Sequence, residues 1–298
     1  MKAKLKDLTK RVLSPFNLVL PTKVNGRRFK VPIMHGIGGS NLQMTELWMI
    51  DELRRLFSLA SDSAFMDVGV NLGQTLLKVK SLAREIVYLG FEPNPFCVQF
   101  VNELIRVNDL PNCEVVPVGL SRESALVPFF AEREADATGS IIEDLTWHKQ
   151  ILRRQHIPVF AFDDIAPVIA PAKISIIKID VEGAELEVIT GMKKFLTAHR
   201  PFLTCEVLQA PTSAQLEMRH ERNRRLIQLL VDHGYLAYRL LKNSEQSMVR
   251  GLERVERAES FGKEPWDPRT SPALCDYLFL PEESKDQTAR AFAARAFA

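Results

Sequence analysis

The sequence predicts an α/β fold with a mostly parallel sheet and helices on both of its faces. Between residues 64 and 120, short apolar segments alternate with amphipathic ones, and the same alternation returns between 173 and 240. Such alternation indicates parallel strands joined by crossover helices. The chain has 298 residues, of which 46% are hydrophobic and 26% charged, so it can bury a core of the size that this fold needs.

Residues 1–60 are expected to form a helical cap on the substrate side of this fold. The segment TELWMIDELRRLFSLA has apolar residues at helical spacing, with Thr45 as the expected N-cap. The preceding HGIGGSNL is rich in glycine and either lines a site or turns the chain. Ser14, Pro15 and Asn17 interrupt the apolar part of the first residues, which argues against a signal peptide.

Residues 61–281 are expected to form the main domain. Strands are predicted at AFMDVGV, EIVYLGFEP, CEVVPVGL, KISIIKID and PFLTCEVL, and a helix near residues 214–233. EGAELEVITGMKKFLTAH is predicted as one helix, and YLAYRLL and CDYLFLP as an antiparallel hairpin at the sheet edge. Between 121 and 165 the strand-like segments ALVPFFAE and IPVFAFDD break the alternation, which predicts a β-insertion near the ligand. The alanine-rich residues 282–298 are predicted to be a flexible tail with a frayed helix.

Composition narrows the classes of partner and compartment. A net charge of +2 gives no basis for a nucleic-acid partner. No run approaches the roughly 18 apolar residues of a membrane span, so no integral membrane association is expected. The four cysteines form no Cys-x-x-Cys pair, which predicts reduced, buried thiols in a cytoplasmic protein rather than a zinc or redox motif. Nothing in the composition specifies an oligomeric state.

The first chemical motif is DVGVNLG, residues 67–73, at the end of the first central strand. In open α/β sheets, ligands bind beyond the carboxyl ends of the strands. Gly69 allows a tight turn close to a ligand, and Gly73 lets the next helix start close to the strand. A nicotinamide-binding Gly-x-Gly-x-x-Gly loop would need glycine at positions 71 and 74, where this chain has Asn71 and Gln74. The loop therefore disfavours a pyrophosphate and suits a cofactor without phosphate.

A second motif, FEPNP, closes the next strand and places Glu92 at its carboxyl end. A carboxylate at this position can accept hydrogen bonds from both hydroxyls of an adenosine ribose. The alternative is a surface glutamate in a proline turn.

A third motif, KIDVEGAE, places a lysine and three carboxylates where another apolar strand ends. Grouped carboxylates at a strand end are costly unless a ligand, metal or cation neutralises them. Asp180 is placed to face the reacting group, whereas Glu182 and Glu185 either do the same or cap the following helix. Glu206, which interrupts the apolar strand PFLTCEVL, is expected to reach into the same crevice.

Weaker signals remain outside these motifs. Gly139 and Ser140 lie in the predicted insertion, where they would sit over the cofactor. His35, His148 and His156 are isolated in sequence and are interpreted as structural or surface histidines. The chain has no Gly-x-Ser-x-Gly elbow, no phosphate loop and no metal-binding histidine pair.

Together these segments resemble the FkbM family of S-adenosylmethionine (SAM) dependent methyltransferases. DVGVNLGQTLL, FEPNP, VGLS, ATGS, VFAFDDI and KIDVEGAELEVITG occur in the order seen in that family, over roughly residues 62–210. Two conservative departures are Val70, where alanine is usual, and VFAFDD, where V-x-x-x-L-D-D is usual. The segments 1–60 and 211–298 lie outside the resemblance and are expected to set substrate choice.

The resemblance implies a class I Rossmann-like methyltransferase fold, with a mostly parallel seven-stranded sheet, and methyl transfer from SAM to a hydroxyl. The acceptor it implies is a small molecule or glycan, namely a sugar hydroxyl or a secondary metabolite. The predicted cofactor-binding residues are Asp67, Gly69, Asn71, Gly73, Glu92 and Ser140. The predicted catalytic residues are Asp180, Glu182 and Glu206.

Methyl transfer to an alcohol benefits from a base or a metal ion, because an alcohol is a poor nucleophile. Asp180 and Glu206 are the candidates for either role, since carboxylate oxygens also bind divalent cations. Three alternatives stay open. A nicotinamide-dependent oxidoreductase is disfavoured by the missing glycines, and a SAM-binding protein that has lost catalysis is disfavoured by the retained carboxylates. A nucleic-acid methyltransferase is disfavoured because no Asn/Asp-Pro-Pro-Tyr/Phe motif follows the fourth strand.

Overall fold

The structure, a computed structural model, describes residues 18–34, 37–60, 64–131, 141–142, 153–210, 212–256, 264–267 and 275–293. Within these ranges, no helix is long and apolar enough to cross a membrane.

Strands in the described residues form three sheets. In chain order they are β1 (Leu18–Val24), β2 (Arg27–Ile33), β3 (Ala64–Val68), β4 (Tyr88–Phe91), β5 (Cys113–Val116), β6 (Gly119–Leu120), β7 (Ala125–Ala131), β8 (Arg153–Phe160), β9 (Ile174–Ile179), β10 (Phe202–Glu206), β11 (Tyr235–Lys242), β12 (Val249–Arg254) and β13 (Asp276–Pro281). Eight of them form the main sheet, in the spatial order β12-β11-β13-β10-β9-β3-β4-β5.

The five strands from β10 to β5 in this order pair in parallel, as the sequence predicts. β13 pairs antiparallel with both β10 and β11. The predicted antiparallel pairing of the last two strands is confirmed, but β13 lies inside the sheet rather than at its edge. The sheet also has eight strands instead of seven, because β12 folds back onto β11 from the polar segment that was predicted to be a loop.

The helices lie on both faces of the main sheet. In chain order they are α1 (Trp48–Leu59), α2 (Gln74–Leu82), α3 (Pro95–Val107), α4 (Phe162–Ile169), α5 (Glu185–Thr190), α6 (Lys193–His199), α7 (Ser213–Asp232) and α8 (Lys285–Ala293). One cluster of buried residues lies between one face of the main sheet and helices α1, α2, α3 and α8. A second cluster lies between the other face and helices α4, α5, α6 and α7. Successive residues of β9 serve opposite faces, with Ile176 in the first cluster and Ile177 in the second.

The predicted single helix after β9 is two helices, α5 and α6, separated at Gly191. A Cβ atom at Gly191 would lie 2.0 Å from the carbonyl oxygen of Ser121, so the close approach of that chain segment requires glycine. The break therefore reflects packing against a segment distant in sequence.

The N-terminal segment contains the predicted helix α1 but also an unpredicted hairpin, β1–β2. The hairpin turns at Asn25 and Gly26, which both have positive φ, of 48° and 78°. Helix α1 does not begin at the predicted N-cap Thr45. Glu46 has a φ of 52°, in the left-handed region, so the helix begins only at Trp48.

Residues 282–293 were predicted to belong to a flexible tail, but the structure has a packed helix there. Phe292 of α8 is buried, and the guanidinium carbon of Arg55 lies 5.3 Å from the centre of its ring. Arg55 Nη1 also donates to the carbonyl oxygens of Ala291 and Phe292, at 3.0 and 3.1 Å. These contacts cap the carboxyl end of α8 with a cation.

The predicted β-insertion is confirmed as a separate three-stranded sheet, in the order β6-β8-β7. Its apolar face has a small cluster of its own, formed by Phe129, Ile157 and Val159, with Val127 and Ile141 packed against it.

Candidate functional site

The turn after β3 brings backbone close to a cavity because glycine occupies its first position. Gly69 has a φ of 89°, and a Cβ atom there would lie 1.9 Å from the carbonyl oxygen of Asp180. Asn71 also has positive φ, and both residues line the cavity. Gly73 begins α2, and its missing side chain leaves room for Leu104 of α3. Gly73 is therefore not among the lining residues, and its role is helix packing.

Glu92 follows β4 and lines the same cavity. Its Oε2 accepts the backbone N–H of Asn71 at 2.7 Å, and its Oε1 accepts that of Asn94 at 2.8 Å. Burial raises the pKa of Glu92 to about 7, although these two N–H groups favour its charged form. The carboxylate is thus fixed by two neighbouring turns, and each of its oxygens keeps one lone pair for a ligand.

The cavity lies beyond the carboxyl ends of β3, β4 and β9 and is open to solvent. Its walls differ in chemistry. One part is polar and includes Gly69, Asn71, Asp180 and Glu182. The other part is apolar and is formed by Phe91, Pro93, Leu120, Phe129, Ile141 and Val159. Several of the apolar residues belong to the β-insertion.

A cluster of carboxylates lies beside the polar wall, at the carboxyl ends of β9 and β10. Oxygen atoms of Asp180, Glu182 and Glu206 lie within 4.8 Å of one another, and Glu206 forms a second such group with Cys275 and Asp276. Asp276 pairs across from Glu206 in the antiparallel register of β10 and β13. The three predicted catalytic residues are therefore brought together, as the sequence analysis expects.

Crowding sets the protonation of this cluster. Burial raises the pKa of Glu206 well above its usual range, and the charges of Asp180 and Glu182 raise it further. Burial and the neighbouring charges of Asp180 and Glu185 raise the pKa of Glu182 to about 8. Burial also acts on Asp180, but the Lys178 ammonium and a hydrogen bond from Glu206 outweigh it and hold the pKa of Asp180 below its usual value. These opposite pKa shifts favour the charged form of Asp180 and the protonated form of Glu206.

The donor set also fits a hard divalent cation, because Asp180, Glu182 and Glu206 offer only oxygen atoms. Three carboxylates supply fewer ligands than such a cation takes, so waters or acceptor hydroxyls would complete its coordination.

Asp67, predicted to bind the cofactor, does not reach the cavity. Its side chain is fully buried on the opposite face of β3, where Tyr88 donates a short hydrogen bond to Oδ2 and Lys178 Nζ lies 3.4 Å from Oδ1. Lys178 Nζ also donates to the Gly69 carbonyl at 3.0 Å and pairs with Asp180 at 3.1 Å. Asp67 therefore contacts Lys178, which in turn contacts the turn after β3 and Asp180.

Glu185 likewise lies behind the site. Its Oε1 accepts the backbone N–H of Gly183 at 2.9 Å, which holds the turn before α5. Burial raises the pKa of Glu185 to about 7, against the effect of these backbone hydrogen bonds. Ser140, predicted to sit over the cofactor, lies outside the described residues.

Sequence reasoning missed the apolar wall and one part of the acidic cluster. Phe129 belongs to no motif, although the alternation of β7 and β8 places it on the same buried face as Val159. Asp276 and Cys275 join the cluster only because β13 pairs with β10, which no local pattern indicates.

The chain is similar to two curated fungal proteins. Methyltransferase sdnD of Sordaria araneosa is 24% identical over 168 residues, which are 48% of this chain and 65% of that protein. Methyltransferase 1 of Beauveria bassiana (strain ARSEF 2860) is 24% identical over 159 residues, which are 48% of this chain and 64% of that protein. The matched region thus spans less than two thirds of either relative.

Among solved structures, the Methyltransferase FkbM of Methylobacillus flagellatus KT aligns with a TM-score of 0.43 and 15% identity, over 73% of this chain and 43% of that one. The chain also matches a family model. Residues 67–237 match the Methyltransferase FkbM domain, from the end of β3 to the first residues of β11. Since this match covers more than half of the chain, the protein belongs to the FkbM methyltransferase domain family.

Proposed function

We propose that this protein is a SAM-dependent methyltransferase that methylates a hydroxyl of a sugar, glycan or secondary metabolite. The observation that carries the proposal is the placement of Glu92 in the cavity wall. Two of the four lone pairs of its carboxylate are taken by backbone N–H groups, one on each oxygen. The remaining two suit the two adjacent hydroxyls of a ribose.

The same geometry disfavours a nicotinamide cofactor. A pyrophosphate needs free backbone N–H groups at the glycine turn. Here the N–H of Asn71 already donates to Glu92, and the carboxylate itself would repel a phosphate group. The site therefore suits a nucleoside without a phosphate group, and SAM is such a ligand.

SAM when bound supplies an activated methyl group on a cationic sulfur. In the proposed site, Glu92 binds the ribose, and Asp180 in the polar wall offers negative charge near the cation. Asp180, the ionised member of the cluster, takes the proton of the acceptor hydroxyl as the new O–C bond forms and the C–S bond breaks. Glu206 donates a hydrogen bond that orients Asp180. Positioning and exclusion of water supply much of the rate.

Asp180 and Glu206 would instead act as ligands if the reaction uses a divalent cation. Activity that survives dialysis against EDTA would assign them the direct role. Activity that is lost and then restored by Mg²⁺ would assign them to a cation.

The first experiment is calorimetric titration of the protein with SAM and with NAD, repeated on Glu92→Ala. Glu114→Ala is the matched control, because Glu114 is an exposed carboxylate on the neighbouring strand β5. We expect SAM binding in the wild type and the control, and none in Glu92→Ala. NAD binding, or SAM binding unaffected in Glu92→Ala, would contradict the proposal.

Turnover then separates an enzyme from a SAM-binding protein without catalysis. The assay measures transfer of labelled methyl from SAM to a panel of sugars and phenols. We expect Asp180→Asn to abolish transfer while SAM still binds. Full activity in both Asp180→Asn and Glu206→Gln would refute the assigned chemistry.

A further inference from the structure

The apolar wall of the cavity comes mostly from the β-insertion rather than from the main sheet. Leu120 of β6, Phe129 of β7 and Val159 of β8 all line the cavity, and Ile141 joins them from the segment between β7 and β8. Phe129 and Val159 are 4% and 1% exposed, so their positions are fixed by packing.

Alternation along the strands explains why one face of the small sheet is apolar. Val127 and Phe129 lie two apart on β7, and Ile157 and Val159 lie two apart on β8, so each pair shares a face. Leu126, which precedes Val127 on β7, lies on the opposite face of the strand and is 68% exposed. The small sheet therefore presents its apolar face to the cavity.

The small sheet lies next to the ribose carboxylate. A Cβ atom at Gly119 of β6 would lie 3.7 Å from Pro93 Cβ and 3.0 Å from Val159 Cγ1. Pro93 directly follows Glu92, so the apolar wall begins beside Glu92. On the other side, the Gly69 turn touches the Asp180 backbone, so the polar wall lies toward the acidic cluster.

A nucleoside with its ribose on Glu92 has two ends of different chemistry. Its base is flat and apolar on its faces, and the amino-acid part attached through sulfur is charged. The apolar wall suits the base, and the polar wall suits the charged part.

We propose that the β-insertion is the adenine-binding element of this protein and that Phe129 packs against the base. This inference rests on the proposed function, because it assumes an adenosyl ligand with its ribose on Glu92. It assigns a ligand-binding role to β7, which carries none of the sequence motifs, and to β8, which overlaps only the start of VFAFDDI.

The test compares two ligands that differ only in the base. S-adenosylhomocysteine carries adenine, and S-ribosylhomocysteine is the same molecule with the adenine removed. In Phe129→Ala, we expect the affinity for S-adenosylhomocysteine to fall about tenfold to hundredfold, the range found when an aromatic side chain stacked on a base is replaced by alanine. The affinity for S-ribosylhomocysteine should change less than about twofold by the same argument, because that ligand places nothing against Phe129.

Leu126→Ala is the matched control, since Leu126 lies on the same strand but faces solvent. It should bind both ligands as the wild type does. Val159→Ala is a second, milder variant that keeps the test valid if Phe129→Ala fails to fold. It should show the same selectivity for the adenine ligand with a smaller loss.

Equal loss of both ligands would overturn the inference, since it would mean that the insertion only supports the fold. Unchanged binding of S-adenosylhomocysteine in Phe129→Ala and Val159→Ala would also overturn it. Loss of binding in Glu92→Ala together with no effect in these variants would leave the proposed function standing and reject the inference alone. No binding of S-adenosylhomocysteine to the wild type would reject both.

Discussion

The affinity for an adenosyl ligand should depend on pH through Glu92. Burial raises the pKa of this carboxyl to about 7 in the free protein. The two lone pairs left for the ribose are available only on the carboxylate, so binding selects the deprotonated form. The apparent Kd then scales as 1 + 10^(7 − pH), which is about 1.1 at pH 8 and about 11 at pH 6. We expect affinity to be nearly full at pH 8 and about tenfold weaker at pH 6, a difference of about 1.4 kcal/mol.

The substitution Glu92→Gln removes this dependence. A carboxamide has one acceptor oxygen, so it cannot serve two backbone N–H groups and two hydroxyls at once. We expect at least one charge-assisted hydrogen bond to be lost, worth roughly 1.5–3 kcal/mol, which lowers affinity about tenfold to hundredfold at pH 8. Glu114→Gln, on the exposed side of β5, should keep both the affinity and the pH dependence of the wild type.

The assay is calorimetric titration with S-adenosylhomocysteine at pH 6, 7 and 8, in buffers that differ in ionisation enthalpy. The change in measured binding heat from one buffer to another gives the number of protons released on binding. The reasoning is refuted if Glu92→Gln keeps the tenfold change, because the titrating group would then be elsewhere. It is also refuted if wild-type affinity is the same at all three pH values.

Three further predictions concern groups that support the site or the fold. Gly69→Ala should abolish ligand binding, because the new Cβ atom would lie within 2 Å of the Asp180 backbone. Gly251→Ala should bind normally, since no atom lies within 4 Å of a Cβ atom at that position. Titration with S-adenosylhomocysteine measures the affinity of both variants. Lys178→Met breaks a buried ion pair and should lower the free energy of unfolding by about 3–5 kcal/mol. It should also lower methyl-transfer turnover. Lys80→Met, which removes an equally buried lysine bound to three carbonyls, should lower stability alone; equal turnover losses would contradict the assigned role. Phe292→Ala should cost about 3–5 kcal/mol in denaturant unfolding with unchanged ligand affinity; a loss below about 1 kcal/mol would mean that α8 is not packed as described.

The sequence predicted the centre of the sheet because its strands are short apolar runs with charge at their carboxyl ends. Those ends also carry Glu92, Asp180 and Glu206, which lie at one edge of the sheet as their positions at strand ends predict. Asp67 does not line the cavity, and the strand pattern contains the reason. Met66 and Val68 face the second core cluster, so Asp67 between them must face the first.

Other features were set by contacts between distant segments. The location of β13 between β10 and β11 depends on which strand edges remain open, and no local pattern encodes this. The break at Gly191 depends on the Ser121 backbone, which approaches from the insertion. The hairpin β1–β2 was predictable in principle, since Asn25-Gly26 is a strong signal for a two-residue turn.

The placement of β13 also constrains the order in which the sheet can be completed. β11 precedes β13 in the chain, yet it has no hydrogen-bonded contact with β10 except through β13. Until Asp276–Pro281 is in place, β10 and β11 each have an open edge, and open edges are where chains pair wrongly. Insertion of this one strand closes both edges and adds Asp276 beside Glu206 in the same event. The same strand therefore both extends the acidic cluster and protects the sheet against mispairing.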